Sequence, residues 1–343
     1  PSALTTPEAL VLYQQMAQAV ENGLTHVVME VSSQAYKTKR VFGLTFDLGI
    51  FLNISPDHIS PIEHETFEEY FLCKQELLLH SKKMVMNHES DHFEVLENLC
   101  QINHIPYLTY GGSAADYPVI AMDDPRTFEL KSSTDPLAIN GDYALTMFGH
   151  FNHENAAAAL LATAWLETPR NHMKESLSKC VIPGRMTLFD LPNGALAFVD
   201  FAHNYLSLLS MGQLAKEIRP HGKAIVMTGS AGGKALSRRK DMGLAITQIY
   251  DVAILTSDDP NFENPNAIAD EIQQAIENPE VAVYREMDRE QAIYLALSLA
   301  GPQDVVVLAG KGNEASMKIE GHDAPYDGDA IYAQKWIATQ KEA

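Results

Sequence analysis

From residue 7 onward, short apolar runs bounded by turn residues alternate with longer segments of helical periodicity. Continuous apolar runs of about four to eight residues predict strands buried on both faces, and such strands belong to parallel sheets covered by helices. The pattern predicts a helix over 7–22, strands over 25–31 and 46–54, a helix over 66–80, a strand over 83–87 and a helix over 90–102. A strand-rich patch follows from about 105 to 148, with Gly111-Gly112 and Asn140-Gly141 as turns, and then an alanine-rich helix over 155–165. The second half repeats the alternation. It predicts strands over 196–201, 223–228, 251–256, 281–284 and 304–309, and helices over 205–218, 237–249, 265–277, 288–300 and 328–340. Helix starts are marked by Thr6-Pro7, by Thr66 with Glu68 and Glu69, and by Asn264-Pro265. The fold class is α/β, with a mostly parallel, doubly wound sheet and a second α/β domain after it. At 343 residues the chain exceeds one ordinary core, and Val181-Ile182-Pro183-Gly184-Arg185 reads as the break, dividing it into 1–183 and 184–343.

Composition narrows the function classes. A net charge of −20 argues against a nucleic-acid binder and against a binder of anionic membranes. No apolar run approaches the ~20 residues of a membrane span, and no signal peptide is visible. Cys73, Cys100 and Cys180 are odd in number and lack C-x-x-C spacing, so a reducing cytoplasm is the expected compartment. The sequence opens at Pro1 with no strand before the first helix, and we read it as a fragment.

Three stretches near the start point to chemistry. Met29-Glu30-Val31-Ser32-Ser33 ends the first predicted strand, Asn53-x-x-x-Asp57-His58 follows the second, and Lys74 lies on the helix opened by Thr66. In parallel sheets ligands bind beyond the carboxyl ends of the strands, where Glu30 and Asp57-His58 would emerge. Alone, Glu30 is more often a solvated strand-end acid, Asp57-His58 a loop pair and Lys74 a surface lysine. Together, a carboxylate, an imidazole and a lysine suit a hard cation and phosphate, since Mg²⁺ takes few protein ligands alongside phosphate oxygens. Phe71, Leu72 and Leu77-Leu78-Leu79 make the helix of Lys74 apolar on more than one side. Such surroundings depress a lysine's pKa and would allow it to add carbon dioxide as a carbamate.

The motifs, taken in order, resemble the Mur ligases, the ATP-dependent amino-acid ligases of peptidoglycan precursor synthesis. Thr5-Thr6-Pro7-Glu8, Met29-Glu30-Val31-Ser32-Ser33, Arg40-Val41, Asn53-x-x-x-Asp57-His58 and Lys74 resemble the family's central domain. Gly149-x-x-Asn152-x-x-Asn155 looks like its adenine-side motif. Gly184-Arg185 and Asp200-Phe201-Ala202-His203-Asn204 look like its G-R and D-Y-A-H segments, with Phe201 in place of tyrosine. The resemblance implies a Mur ligase central, ATP-binding domain and then a Rossmann-like C-terminal, amino-acid-binding domain. It implies metal ligation by Glu30 and His58, a carbamate on Lys74 that places a second Mg²⁺, and catalytic roles for Lys74 and His58. UDP-MurNAc-dipeptide would meet Thr5, Thr6, Ser32 and Arg40, and ATP would meet Asn152, Asn155, Arg185 and Asp200. The family's phosphate-cradling G-x-x-G-K-[ST] loop is not in the sequence, since Gly232-Gly233-Lys234 lacks the following Ser or Thr. In the family that loop and a uridine-binding domain precede Thr5-Thr6, so the fragment alone is expected to be inactive.

The branch is read from Thr256-Ser257-Asp258-Asp259-Pro260-Asn261, which stands where the tripeptide-synthetase branch reads its incoming amino acid. Members using meso-diaminopimelate resemble D-N-P-R there, and Asn261 replaces that arginine. D-D-P-N looks like the L-lysine-adding subgroup, in which Asp258 and Asp259 suit a distal ammonium. Gly310-Lys311-Gly312-Asn313-Glu314 resembles G-K-G-H-E, with Glu314 holding an ammonium. Asp258, Asp259, Asn261, Gly310 and Glu314 would thus receive L-lysine. An arginine after Gly229-Ser230-Ala231-Gly232-Gly233 commonly pairs with the amino acid's carboxylate, and the sequence leaves Arg238 and Arg239 open for that role. The resemblance further implies a monomer in cell wall biogenesis. The alternatives are a truncated, non-catalytic Mur ligase fragment and a folylpolyglutamate synthase-like ligase.

Overall fold

The computed structural model describes residues 4–55, 59, 63–234 and 236–342. The chain divides into two compact units, Pro1–Cys180 and Val181–Ala343. The division falls three residues before the one read from Pro183-Gly184.

The first unit holds α1 (Ala9–Glu21), α2 (Ser33–Lys37), β1 (Gly49–Phe51), α3 (Phe67–Leu79), β2 (Met84–Asn87), α4 (Phe93–Ile102) and β3 (Tyr107–Gly111). These are followed by β4 (Tyr117–Ala121), β5 (Thr127–Leu130), β6 (Gly141–Ala144), α5 (His150–Trp165) and α6 (Arg170–Lys179). The sheet runs β1-β2-β3-β4-β5-β6, parallel from β1 to β4 and antiparallel from there to β6. β2 shows why its sequence is apolar throughout. Met84 and Met86 pack with Tyr70, Phe71 and Leu78 of α3, while Val85 between them packs with Ala157 and Leu161 of α5. Alternate side chains leave opposite faces of a strand, so a strand covered on both faces is apolar at every position.

Two expectations are corrected at the start of this unit. Residues 24–32 form no strand, and Val28 is 98% exposed. An apolar run becomes a strand only where a neighbour completes its ladder, and no described strand pairs with this one. α1 begins at Ala9 with Glu8 at its N-cap, not with Thr6, because the Thr6 hydroxyl is engaged elsewhere. Thr66 does cap α3, its side chain accepting the Glu69 N–H, with Glu68 and Glu69 in the first turn.

The second unit holds β7 (Thr187–Asp190), β8 (Leu196–Asp200), α7 (Tyr205–Ile218), β9 (Ala224–Thr228), α8 (Leu236–Ile249), β10 (Val252–Leu255) and α9 (Pro265–Gln274). It continues with β11 (Ala282–Arg285), α10 (Arg289–Leu299), β12 (Val305–Ala309), the hairpin β13 (Ser316–Ile319) and β14 (His322–Pro325), and α11 (Asp329–Glu342). The sheet order is β11-β10-β9-β12-β8-β7, all parallel except β7. Every residue of β9, β10 and β12 is buried. One face packs on Ala292, Ile293, Ala296 and Leu297 of α10 and on Ala333 and Ile337 of α11. The parallel register brings the carboxyl ends of β8, β9, β10 and β12 to one edge, and β12 enters between β9 and β8 out of chain order. Such a reversal opens a crevice beyond the strand ends.

Candidate functional site

In the first unit the predicted residues fall into separate groups. Thr6 is buried, and its hydroxyl donates to the Glu30 carbonyl (2.9 Å) while accepting the Ser32 N–H (3.0 Å). Arg40 donates to the Thr6 carbonyl (3.4 Å) and pairs with Glu8 (3.2 Å). The Ser32 side chain caps α2 by accepting the Ala35 N–H. Thr6, Ser32 and Arg40 are therefore one connected group, with Thr5 exposed beside them. The Glu30 backbone belongs to the same group, and its side chain is exposed. Lys74 is half-buried on α3, its Nζ 5.7 Å from the centre of the Tyr70 ring. Leu72 and Leu79 are exposed, so the apolar face of α3 does not enclose it. His58 and Asp57 lie outside the described residues. Among the described residues, the acid and histidine donors close enough to share one cation are Glu89, His150 and Glu154, a set that does not include Glu30.

Asn152 and Asn155 lie in the first two turns of α5. Asn152 is buried and donates to the Phe148 carbonyl (2.8 Å), whereas Asn155 is exposed. Asp200, at the end of β8 in the second unit, accepts the Met186 N–H (2.9 Å) and the Ala202 N–H (2.8 Å). Burial raises its carboxyl above the ordinary range, and those two N–H groups with nearby Arg185 work the other way. Arg185 lies over the Phe201 ring, 5.0 Å from its centre.

The strand ends of the second unit enclose a cavity of about 140 Å³ lined by His203, Gly229, Ser230, Ala231, Arg238, Asp258, Asp259, Gly310 and Glu314. Four of the five residues expected to receive an amino acid meet here. Two glycines permit the approach. A Cβ on Gly232 would collide with the Pro260 carbonyl, and one on Gly310 would occupy the position of the Asp258 carboxylate oxygen. Gly310 also has a positive φ of 119°.

Asn261 has its own local reason. Its φ is 53°, a conformation asparagine tolerates well, and its side-chain oxygen accepts the Gly321 N–H (2.9 Å). Its backbone bonds to Lys318 and Glu320 complete the attachment of the β13–β14 hairpin.

Two cations missed as partners in the sequence reading set the electrostatics. Lys311 is 1% exposed, and its ammonium donates to Asp259 (2.8 Å) and contacts Glu314. Burial works against that charge, but the two carboxylates outweigh it and hold the lysine above its ordinary pKa. Arg289, at the start of α10, is buried against Asp329 at the start of α11, with Nε–Oδ1 2.9 Å and Nη2–Oδ2 2.8 Å. The same guanidinium donates to the Ala309 carbonyl (2.9 Å) and the Ser257 carbonyl (3.2 Å), and its Nη1 lies 3.7 Å from Asp258. Burial pushes Asp258 up to about 6, with Arg289 and Lys311 opposing. The structure also separates the two arginines. Arg238 lines the cavity, while Arg239 is buried, donating to Glu263 (2.8 Å), Glu271 (3.1 Å) and the Ala231 carbonyl.

Comparison with known proteins agrees with this architecture. Residues 1–163 match the Mur ligase middle domain, and residues 184–312 match the Mur ligase glutamate ligase domain. The chain is 47% identical over 341 residues to the UDP-N-acetylmuramoyl-L-alanyl-D-glutamate–L-lysine ligase of Enterococcus faecalis, covering 98% of this chain and 67% of that protein. It is 44% identical over 338 residues to the ligase of the same name from Streptococcus sanguinis, covering 98% of this chain and 68% of that protein. A solved UDP-N-acetylmuramoyl-L-alanyl-D-glutamate–2,6-diaminopimelate ligase superposes with a TM-score of 0.62 at 26% identity, over 98% of this chain and 69% of that one. The chain belongs to the Mur ligases, a family of ATP-dependent amino-acid ligases. It spans about two-thirds of the length of the curated relatives it matches.

The two arginines make opposite predictions. Arg239→Met should lower the stability of the second unit by about 2 kcal/mol, the scale of lost hydrogen bonds to charged partners. Arg238→Met, at a side chain only half-buried and lining the cavity, should cost less than Arg239→Met. Urea unfolding of both variants measures the difference, and equal losses would remove the distinction.

Proposed function

We propose that this chain carries the ATP-handling and amino-acid-receiving parts of a ligase that adds L-lysine to UDP-N-acetylmuramoyl-L-alanyl-D-glutamate, a step in peptidoglycan precursor synthesis. The observation that carries the reading is the charge inside the cavity of the second unit. Asp258, Asp259 and Glu314 face Lys311 and Arg238, while Arg289 and Asp329 offset each other behind them. Among the described residues, these carboxylates exceed these cations by one when Asp258 is ionised. L-Lysine carries one net positive charge and fills that deficit, with its carboxylate toward Arg238 and its ammonium groups toward Asp258, Asp259 and Glu314. meso-Diaminopimelate is net neutral and brings a second carboxylate into an acid-lined space, where like charges are costly.

ATP phosphorylates the γ-carboxylate of the D-glutamate residue, giving ADP and an acyl phosphate. The α-amine of lysine attacks that carbonyl carbon, the amine proton leaves, and the tetrahedral intermediate expels phosphate as the amide forms. Phosphoryl transfer depends mainly on positioning and charge neutralisation. Thr5, Thr6, Ser32 and Arg40 are assigned to the UDP-MurNAc-dipeptide, a role supported by the connected group that Thr6 makes with the other two. Arg40 is suited to pair with an anionic substrate group there. Asn152, Asn155, Arg185 and Asp200 are assigned to ATP, and the two units to the ATP-binding (1–183) and amino-acid-binding (184–343) domains.

Magnesium at Glu30 and His58, and a carbamate on Lys74, rest on the resemblance. The described acid and histidine donors do not gather around Glu30. When bound, Mg²⁺ would neutralise phosphate charge during transfer. The expected setting is the cytoplasm, with the protein as a monomer.

In the full-length enzyme, Glu314→Gln should raise KM for L-lysine about 10- to 100-fold, the effect of losing one hydrogen bond to a charged group. Steady-state assays with both amino acids test selectivity as well, and equal use of lysine and diaminopimelate contradicts the charge argument. The carbamate has its own readout. Incubation with ¹³C-bicarbonate should give a carbamate ¹³C resonance that is lost in Lys74→Ala, and an unchanged spectrum removes the modification.

A further inference from the structure

Arg289 does not itself line the cavity, yet it binds the loops and the helix that border Asp258. One guanidinium binds Asp329 through two nitrogens, accepts no proton, and donates to the carbonyls that end β12 (Ala309) and begin the β10 loop (Ser257). Its remaining edge lies 3.7 Å from the Asp258 carboxylate. Gly310 leaves room for the same carboxylate oxygen, since a Cβ there would collide with it and lie 3.5 Å from Arg289 Nη2. Tyr326, at the end of the hairpin, directs its hydroxyl to Asp329 and so fixes the anion that fixes the arginine. The pair is buried on both sides, Arg289 at 4% exposure and Asp329 at 0%.

We propose that Arg289 is a positioning residue that keeps Asp258 both oriented and ionised for an incoming ammonium, with Asp329 setting how much of its charge Asp258 feels. The proposal rests on the reading that this cavity receives a cationic amino acid. The groups facing Asp258 are Arg289 from α10, Asp329 from α11, Lys311 and Glu314 after β12, Asp259 on its own loop, and His203 and Arg238 across the cavity. Of the cations, Lys311 is already shared between Asp259 and Glu314. Arg289 is tied to Asp329, yet its Nη1 also lies 3.7 Å from the Asp258 carboxylate without itself lining the cavity, so the carboxylate's cavity side is left to a ligand. Without it, burial would return Asp258 to the protonated form near neutral pH, and a protonated carboxyl attracts an ammonium weakly.

The sign of the shift separates this role from simple structural support. Loss of packing admits water, and water lowers the midpoint of a buried carboxyl. Loss of the arginine's charge raises it. Titration of the ¹³Cγ-aspartate-labelled chain by NMR, with the Asp258 resonance assigned by Asp258→Asn, should give a midpoint near 6 in the parent. Arg289→Gln should raise that midpoint by about one pH unit or more, since an opposite charge at this range shifts a carboxyl by about one to three. Arg289→Lys should restore it most of the way, and Asp329→Asn should lower it below the parent. Opposite movement of Arg289→Gln and Asp329→Asn supports the proposal. A midpoint in Arg289→Gln that is unchanged or lowered overturns it. If Arg289→Gln does not fold, Arg289→Lys and Asp329→Asn decide: a lowered midpoint in Asp329→Asn with the lysine variant near the parent supports it, and no change in Asp329→Asn overturns it. The titration needs no substrate, so its outcome stands apart from whether L-lysine binds.

Discussion

The second unit depends on placing full charges where water cannot reach them. Arg289, Asp329 and Lys311 are each no more than 4% exposed, and they lie at the carboxyl edge of a sheet in which β10 and β12 are wholly apolar. Removing one partner of a buried pair typically costs about 3–5 kcal/mol, because the other charge is left uncompensated. Such a network is tolerable only when nearly every charge has a partner, and here the partners come from different elements. Arg289 reaches from α10 to the ends of β10 and β12 and to the start of α11. Lys311 reaches from the β12 loop to the β10 loop. The same ion pairs that settle the charges therefore also set the spacing of the loops around the cavity.

That arrangement links stability with recognition. The loops after β9, β10 and β12 approach so closely that glycine is required at positions 232 and 310, and the space left between them is small and acid-lined. A buried carboxyl such as Asp258, whose midpoint is raised, stabilises the folded state fully below its unfolded value near 3.8, and this contribution is lost as pH rises through about 6. The ionised, binding-competent form at neutral pH is thus the less stable one for the fold alone. A bound ammonium offsets that cost, and a neutral amino acid side chain does not.

Much of this was legible in the sequence. The βα alternation marks the five parallel strands of the second sheet to within a residue or two, because strands buried on both faces leave an uninterrupted apolar run. The antiparallel β7 and the β13–β14 hairpin were missed. β13 and β14 pair mainly with each other and carry Lys318, Asp323 and Pro325, so their periodicity is weak. The opposite error occurred at 25–31, where an apolar run without a ladder partner stays irregular. At the candidate site, Asp258, Asp259, Gly310 and Glu314 were read from motif order and meet in one cavity. Arg289 was not readable, since Asp288-Arg289-Glu290 looks like any solvated helix start until the fold brings Asp329 to it. Arg238 and Arg239 are adjacent in sequence, and only the direction of each side chain from α8 separates a cavity wall from a structural tie.

The central claim is that the cavity's unmatched negative charge receives an ammonium of the amino acid. A crystal structure of the protein with L-lysine bound tests it most directly. The account predicts an ammonium within salt-bridge distance of Asp258, Asp259 or Glu314, and the carboxylate toward Arg238. Lysine bound with its carboxylate against those acids, or bound outside this cavity, would contradict it.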